Sequence, residues 1–337
     1  MTTPGNVITD VAGIRIGNAE DMRLASGVTA ILAAQPNVAS GIVRGGAPGT
    51  TGVSLLAPEM TVQGVDAVVL SGGSAYGLDA AGGVMAALRD QRIGFSVGAA
   101  VVPIVVQAIT FDLLNGGDKG WGKRSPYWDL GFAAAEAALL DGSRVQLGTV
   151  GGGTGATTAT CKGGLGSASA VTSGGFTVGA IVVVNAVGSA TVGDGPHFWA
   201  APVERDAEFG GLGFPAHVPP SALALRIKGG GPPSTTIACV ATDAVLTKAE
   251  AKRLAIMADD GLARAIRPAH APMDGDTVFA VATQHKAMRP GAHDLTEIGL
   301  TAADCLARAI ARGVYEATSL PFAGTLPSWR DRFGQQP

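Results

Sequence analysis

At 337 residues, with 47% of them hydrophobic, the chain has ample material for one large core or two modest ones, which excludes intrinsic disorder. Its 24 basic and 27 acidic residues nearly cancel and only 5% are aromatic, so the basic, base-stacking surface of a nucleic-acid binder is missing. Cys161, Cys239 and Cys305 are widely spaced with no Cys-x-x-Cys pair, which argues against a disulfide framework or structural zinc and for a reducing compartment.

The opening Met1-Thr2-Thr3-Pro4-Gly5-Asn6 lacks the basic and apolar regions of a secretory signal, so a cytoplasmic location is expected. Two apolar windows, Phe95 to Phe111 and Phe176 to Val192, approach the length of a membrane span. Glycines, Pro103, Gln107 and Asn185 interrupt them, and their β-branched content predicts buried strands and no membrane partner.

In chain order, strands are predicted over Val7 to Ile16, Val28 to Ala33 and Val65 to Leu70. The third runs into Ser71-Gly72-Gly73-Ser74-Ala75-Tyr76-Gly77 and an Ala-rich helix from about Leu78 to Leu88. That strand, turn and helix invite comparison with a nucleophile elbow centred on Ser74, but Tyr76 stands where the motif needs glycine. Ile93 to Val106 and Ala108 to Leu114 read as strands, Asp129 to Leu140 as a helix, and Val145 to Val150 as a strand entering Gly151-Gly152-Gly153-Thr154-Gly155-Ala156. This loop matches a dinucleotide fingerprint only formally, with no acidic residue about twenty positions on, so no cofactor is expected. Lys162 follows in a Gly-rich loop. Alone it reads as a solvated surface residue; if buried, it becomes available for hydrogen bonding or proton transfer.

Ala168 to Thr172 and Phe176 to Asn185 are predicted to form a hairpin. Asn185 is either a strand-terminating turn amide or a donor aimed at an oxyanion. A long loop covers Asp194 to Pro220, ahead of a strand from Ala222 to Ile227. Later come a strand from Thr236 to Thr242, a helix opened by the capping box Thr247-Lys248-Ala249-Glu250, and a strand from Val278 to Thr283. Asp274-Gly275-Asp276 before that last strand fits a turn, a proton-handling pair or a metal site. Metal is the least supported of the three, since only His270 is near. A final helix is expected after Thr301, with an irregular tail from Ser319.

The stretch with most chemical promise is Gly229-Gly230-Gly231-Pro232-Pro233-Ser234-Thr235, an irregular run delivered into a β-rich segment. Such a junction is ordinarily a turn into a strand. It also allows a hydroxyl to attack the carbonyl just before it, so that the chain cuts itself and Thr235 becomes an N-terminal nucleophile with its own amine as base.

Four pieces together, Leu70 to Asp79, Val184 to Gly188, Ser234 to Ile237 with Ala241 to Ala244, and Asp274 to Ala280, resemble the self-processing N-terminal-nucleophile aminopeptidases. That family includes L-aminopeptidase/D-amino-acid esterases, β-aminopeptidases and nylon-oligomer hydrolases. The resemblance runs from near Ile8 to near Thr318 and implies an α/β, four-layer αββα fold in a single hydrolase domain. It further implies cleavage into residues 1–234 and 235–337, and a homo-oligomer, a tetramer of cleaved pairs. Thr235 matches the nucleophile, Lys162 and Asn185 the supporting lysine and asparagine, and Asp274 and Asp276 the acidic pair of the oligoamide hydrolases. The β-aminopeptidases carry a hydroxyl and an acid there instead. Ser234 stands where the family commonly has asparagine, and Phe111 where some relatives have tyrosine; Tyr76 and Phe111 are the candidate pocket residues. The implied substrate is a peptide, an amino-acid amide or an oligoamide, with no metal. Two narrower alternatives are an aminohexanoate-oligomer endo-hydrolase and a non-catalytic binder of the same fold.

Overall fold

The computed structural model describes residues 5–230 and 234–334. In chain order its strands are β1 (Ile14–Asp21), β2 (Ser26–Ala33), β3 (Val38–Val43), β4 (Thr50–Thr51), β5 (Ala67–Ser71), β6 (Phe95–Val97), β7 (Ala100–Val102), β8 (Val105–Ile109), β9 (Leu165–Val171), β10 (Thr177–Asn185), β11 (Thr235–Ala244) and β12 (Thr277–Lys286). The α-helices are α1 (Ala80–Asp90), α2 (Tyr127–Asp141), α3 (Lys248–Ala265), α4 (His293–Tyr315) and α5 (Trp329–Phe333). One sheet runs β1-β2-β5-β8-β4 and the other β3-β12-β11-β10-β9, while β6 and β7 form a separate hairpin. Each large sheet holds one parallel pair, β5 with β8 and β11 with β12, and each pair is joined through a helix, as parallel strands require.

Side-chain alternation explains the layering. On β11, Ile237, Cys239 and Ala241 join Ile181, Val183, Phe279 and Val281 between the sheets, against Ile31, Val68 and Leu70. The intervening Ala238 and Val240 pack with Val182 and Val184 under α3 and α4. Helices α1 and α2 cover the outside of the first sheet through Ala81, Val84, Leu88, Ala134 and Ala138. The order is helix, sheet, sheet, helix, the expected αββα sandwich. Both sheets are covered on both faces, which is why their central strands are continuous apolar runs.

Several expected elements are different. The strand expected from Val7 begins as a 3-10 turn, Ile8–Asp10, because the Asp10 carboxylate accepts hydrogen bonds from the backbone N–H groups of Gly5 and Val7. The two strands expected between Ile93 and Leu114 are β6, β7 and β8, broken by a turn at Gly98 (φ +58°) and by Pro103. Neither Val145 to Val150 nor Ala222 to Ile227 forms a strand. Gly148 sits at φ +86° in the first, and the second opens as the 3-10 turn Pro220–Leu223. Thr301 does not cap the last long helix, which already starts at His293; β3 and α5 were not anticipated.

The Thr247 cap is present: its Oγ1 accepts from Glu250 N at 3.3 Å, and Glu250 Oε2 accepts from Thr247 N at 2.8 Å. Thr247→Ala is expected to cost about 1 kcal/mol in chemical denaturation; an unchanged midpoint would show that α3 is held by its buried face alone.

Candidate active site

Thr235 opens β11 and Asn185 closes β10, and the antiparallel register places them directly opposite each other. Parity puts both on the face that β11 and β10 turn toward the other sheet, where Asn185 Nδ2 donates to Phe111 O, just beyond β8, at 2.9 Å. Thr235 is 3% exposed, and its Oγ1 donates to the carbonyl oxygen of Ser234. That carbonyl also accepts a hydrogen bond from Gly275 N at 2.9 Å, while Ser234 N donates to Met273 O at 3.2 Å. A short parallel bridge therefore fixes Ser234 against Asp274, and the carbonyl preceding Thr235 is gripped from two directions. A Cβ on Gly275 would lie 2.8 Å from Thr235 Oγ1 and 2.9 Å from Ala47 O, so only glycine lets the hydroxyl sit where it does. The turn Gly231-Pro232-Pro233 expected just upstream lies outside the described residues.

The acidic pair divides its work. Asp276 Oδ1 accepts from Thr236 N at 2.7 Å, and its Oδ2 accepts from both His270 N at 3.0 Å and His270 Nδ1 at 2.9 Å. Asp274 Oδ2 accepts from Ala271 N at 3.0 Å, but its buried Oδ1 has no partner of hydrogen-bond geometry among the described residues. Burial, and then the charge of Asp276, push the Asp274 carboxyl above the usual carboxylate range. His270 also reaches Asp259, whose Oδ2 lies 3.4 Å from its Nε2 and 3.0 Å from Arg44 Nε. Hydrogen bonds to Asp259 and Asp276 raise the imidazole to about 10, so it is a cation clamped between two carboxylates.

Lys162 is not on the surface. It is fully buried, donating to Gly153 O at 3.0 Å and Gly163 O at 2.8 Å. Burial lowers its ammonium to about 7, against the opposing pull of Asp112. A second lysine, Lys228, donates to Asn185 Oδ1 at 2.9 Å and to Asn185 O at 3.3 Å, and burial lowers it to about 7 as well. Beside them opens a cavity of about 490 Å³ lined by Phe111, Asp112, Leu114, Lys162, Lys228 and Leu326 among others.

Most of the residues singled out in the sequence thus converge. Asn185 faces Thr235, Asp274 bridges Ser234, Asp276 holds the N–H next to Thr235, and Lys162 and Phe111 line the cavity. Tyr76 is not part of this group: it is 55% exposed and packs edge-on against Trp121, so its candidacy as a pocket residue is corrected. Neither aspartate holds Lys162, whose hydrogen bonds go to two backbone carbonyls; the lysine that feels Asp274 is Lys228. Ser74 sits in a left-handed turn (φ +53°), and no histidine among the described residues hydrogen-bonds to it. Sequence reasoning missed Lys228, His270 as a partner of Asp276, and Asp112, which accepts from Ser26 Oγ at 2.5 Å and Gly73 N at 2.8 Å. For Lys228 the available signal was a lysine immediately before the glycine run.

The profile of peptidase family S58 matches residues 6–325. The chain belongs to peptidase family S58. An uncharacterized aminopeptidase of Mycobacterium bovis is 44% identical over 349 residues, covering 97% of this chain and 98% of the relative. A 6-aminohexanoate-oligomer endohydrolase of an Agromyces species is 30% identical over 288 residues, covering 81% of this chain and 74% of the relative. Among solved structures, a Burkholderia β-aminopeptidase superposes with a TM-score of 0.70 at 24% identity, covering 100% of this chain and 97% of that one. An L-aminopeptidase D-Ala-esterase/amidase from Ochrobactrum anthropi, described as a variant of the Ntn hydrolase fold, gives 0.66 at 24% identity, covering 98% and 93%. This S58 chain is accordingly an enzyme of the peptidase and amidohydrolase class with Ntn-hydrolase architecture.

The His270 clamp has a signed pH dependence. Because its folded pKa lies above the ordinary 6.5, the stability it contributes is fully present below pH 6.5 and is lost as pH rises through about 10. His270→Ala is expected to lose a few kcal/mol in denaturation at pH 6, with the gap to the unaltered enzyme narrowing steadily as pH rises from about 6.5 to about 10. A gap independent of pH would contradict a charged imidazole.

Proposed function

We propose that this S58 enzyme is a self-processing amide hydrolase whose nucleophile is the hydroxyl of Thr235. The observation that carries the reading is the Ser234 carbonyl, touched by Thr235 Oγ1 on one side and held by Gly275 N–H on the other. In the uncut chain Oγ1 attacks the Ser234 carbonyl carbon, the negative charge develops on an oxygen already receiving the Gly275 N–H, and the C–N bond breaks as the Thr235 nitrogen takes a proton. Water then opens the resulting ester, freeing the hydroxyl and leaving a carboxylate on Ser234. The products are residues 1–234 and 235–337.

In the mature enzyme the new α-amine, with an ordinary pKa of about 7.7 to 8.0, accepts the hydroxyl proton as Oγ1 attacks a substrate amide. We assign Asp274, whose backbone bridges Ser234 and whose Oδ1 is unpartnered among the described residues, to receive a hydrogen bond from that amine. Asp276 is saturated by N–H donors and acts by holding the start of β11 in position. Asn185 has two N–H groups; one is on Phe111 O, and the other supplies an oxyanion donor. Phe111 offers no phenol, so any oxyanion bond a tyrosine makes in relatives is absent here. Lys162 charges the cavity wall and helps to offset the developing oxyanion.

The cavity is largely apolar, with Phe111, Leu114, Leu320 and Leu326 beside the two amines. That suits a short aliphatic chain carrying amide bonds, a small peptide or an oligoamide. The paired carboxylates Asp274 and Asp276 favour the oligoamide-hydrolase branch of the resemblance over the β-aminopeptidase branch. Comparing a free-amine oligoamide with its N-acetylated form separates exo from endo action: preserved turnover of the acetylated form supports endo cleavage.

Thr235→Ala is expected to leave one uncut, inactive polypeptide by intact mass. A variant that is still cut before residue 235, or still hydrolyses amides, refutes the nucleophile. Gly275→Ala, which pushes a methyl onto the hydroxyl, is expected to slow self-cleavage by about 10²-fold or more, measured as the fraction cut over time after synthesis.

A further inference from the structure

The lysine that the family resemblance does not assign, Lys228, sits at the site with better defined contacts to it than Lys162 has. We infer that Lys228 is a positioning residue: its ammonium fixes the orientation of the Asn185 amide and so presents the Asn185 N–H to the oxyanion. This rests on the reading of Thr235 as nucleophile and adds to it a second residue acting through Asn185.

An asparagine side chain can be placed with oxygen and nitrogen exchanged, and only its hydrogen-bond partners decide which end faces which way. Here two donors converge on one end, Lys228 Nζ at 2.9 Å and Thr157 N at 3.0 Å, so that end is Oδ1. The other end must then be Nδ2, which meets the Phe111 carbonyl at 2.9 Å. The second bond from Lys228 Nζ to the Asn185 backbone oxygen at 3.3 Å ties the ammonium to the same residue at two points. With Lys228 removed, only Thr157 N–H and the Phe111 carbonyl remain to specify the amide, and the flip that would turn Oδ1 toward a developing oxyanion becomes less costly. A charged partner also polarises the amide, making its N–H groups stronger donors.

Lys228 keeps this position by its own backbone. Lys228 N donates to Val187 O at 2.9 Å, on the segment immediately after β10. The bond it would be expected to survive, Ser234-Thr235, lies six residues downstream, so cutting it need not release the lysine. The charged and titratable groups facing Lys228 are Asp274 from the loop before β12, Asp112 from the loop after β8, and Lys162 from the loop before β9. The two acids favour its cation and burial opposes it, which leaves it titrating near neutrality at about 7. Loss of that proton weakens its hold on Asn185, so Lys228 contributes to a falling alkaline limb of activity. Arginine, always charged, removes that limb while keeping a donor at the same carbonyl-rich spot.

The test compares Lys228→Met, Lys228→Arg, Asn185→Ala and the Met/Ala double variant, each as full-length enzyme, with alanine p-nitroanilide and 6-aminohexanoate trimer as probes between pH 6 and 10. Thr235→Ala is run alongside; if it turns over either probe, the underlying nucleophile reading fails, independently of Lys228. With that control inert, Lys228→Met is expected to lower kcat by about 10- to 100-fold with KM changed by no more than about threefold. In the Asn185→Ala background the same change should have no further effect, because the lysine acts only through the amide. Lys228→Arg should recover most of kcat and hold it at higher pH than the unaltered enzyme. An unchanged kcat in Lys228→Met, or losses that simply add in the double variant, overturns the inference. If Lys228→Met does not fold, the decision passes to Lys228→Arg, and an alkaline limb identical to that of the unaltered enzyme overturns it.

Discussion

Everything at this site depends on one register. Asn185 and Thr235 face each other because β10 and β11 pair antiparallel from Val178 opposite Thr242 down to that last pair. A slip of one residue would turn Thr235 away from the inter-sheet layer and toward α3 and α4, away from the Ser234 carbonyl that Gly275 N–H holds. The register is held by burial on both faces: alternate residues of β11 and β10 fill the space between the sheets and the space under the helices. The chemistry is therefore placed by the core, and the loops complete it.

The site is also electrically layered. Next to Thr235 lie two carboxylates, one saturated by backbone N–H groups and the clamped His270, the other with a bare oxygen. On the far side of Asn185 lie two lysines brought near neutrality by burial, sharing the cavity wall with Asp112. Buried charges of both signs held this close are costly unless each has partners, and nearly every one here does. Among the described residues, Asp259 Oδ1 and Asp274 Oδ1 are the carboxylate oxygens of the site without a partner.

How much of this was readable in the residues follows from how local each feature is. The Thr247 cap, the Ala-rich helices and the apolar runs of β5, β10 and β11 depend on neighbours a few positions away, and they appear where expected. The strands expected at Val145 to Val150 and Ala222 to Ile227 had suitable side chains, but a left-handed Gly148 and a proline-led turn overrode them. Motif resemblance carried Thr235, Asn185 and the aspartates, whose meeting depends on pairings between residues roughly 40 to 50 positions apart, which no local pattern encodes. Lys162 was carried by the resemblance as well, since a lysine among glycines looks solvated until the fold closes over it; Lys228, with the same local appearance and no motif to mark it, went unread. Tyr76 failed for the opposite reason: it belongs to a matching motif, yet its ring turns outward onto Trp121.

The central claim is that the Thr235 hydroxyl, once freed as a chain terminus, carries the acyl group. Tandem mass spectrometry of enzyme acid-quenched during turnover of a slow ester substrate tests this most directly. The account expects the acyl mass on the N-terminal residue of a fragment beginning at Thr235. Acyl mass on Ser74 or a lysine, or turnover by a chain still continuous through Ser234 and Thr235, would contradict it.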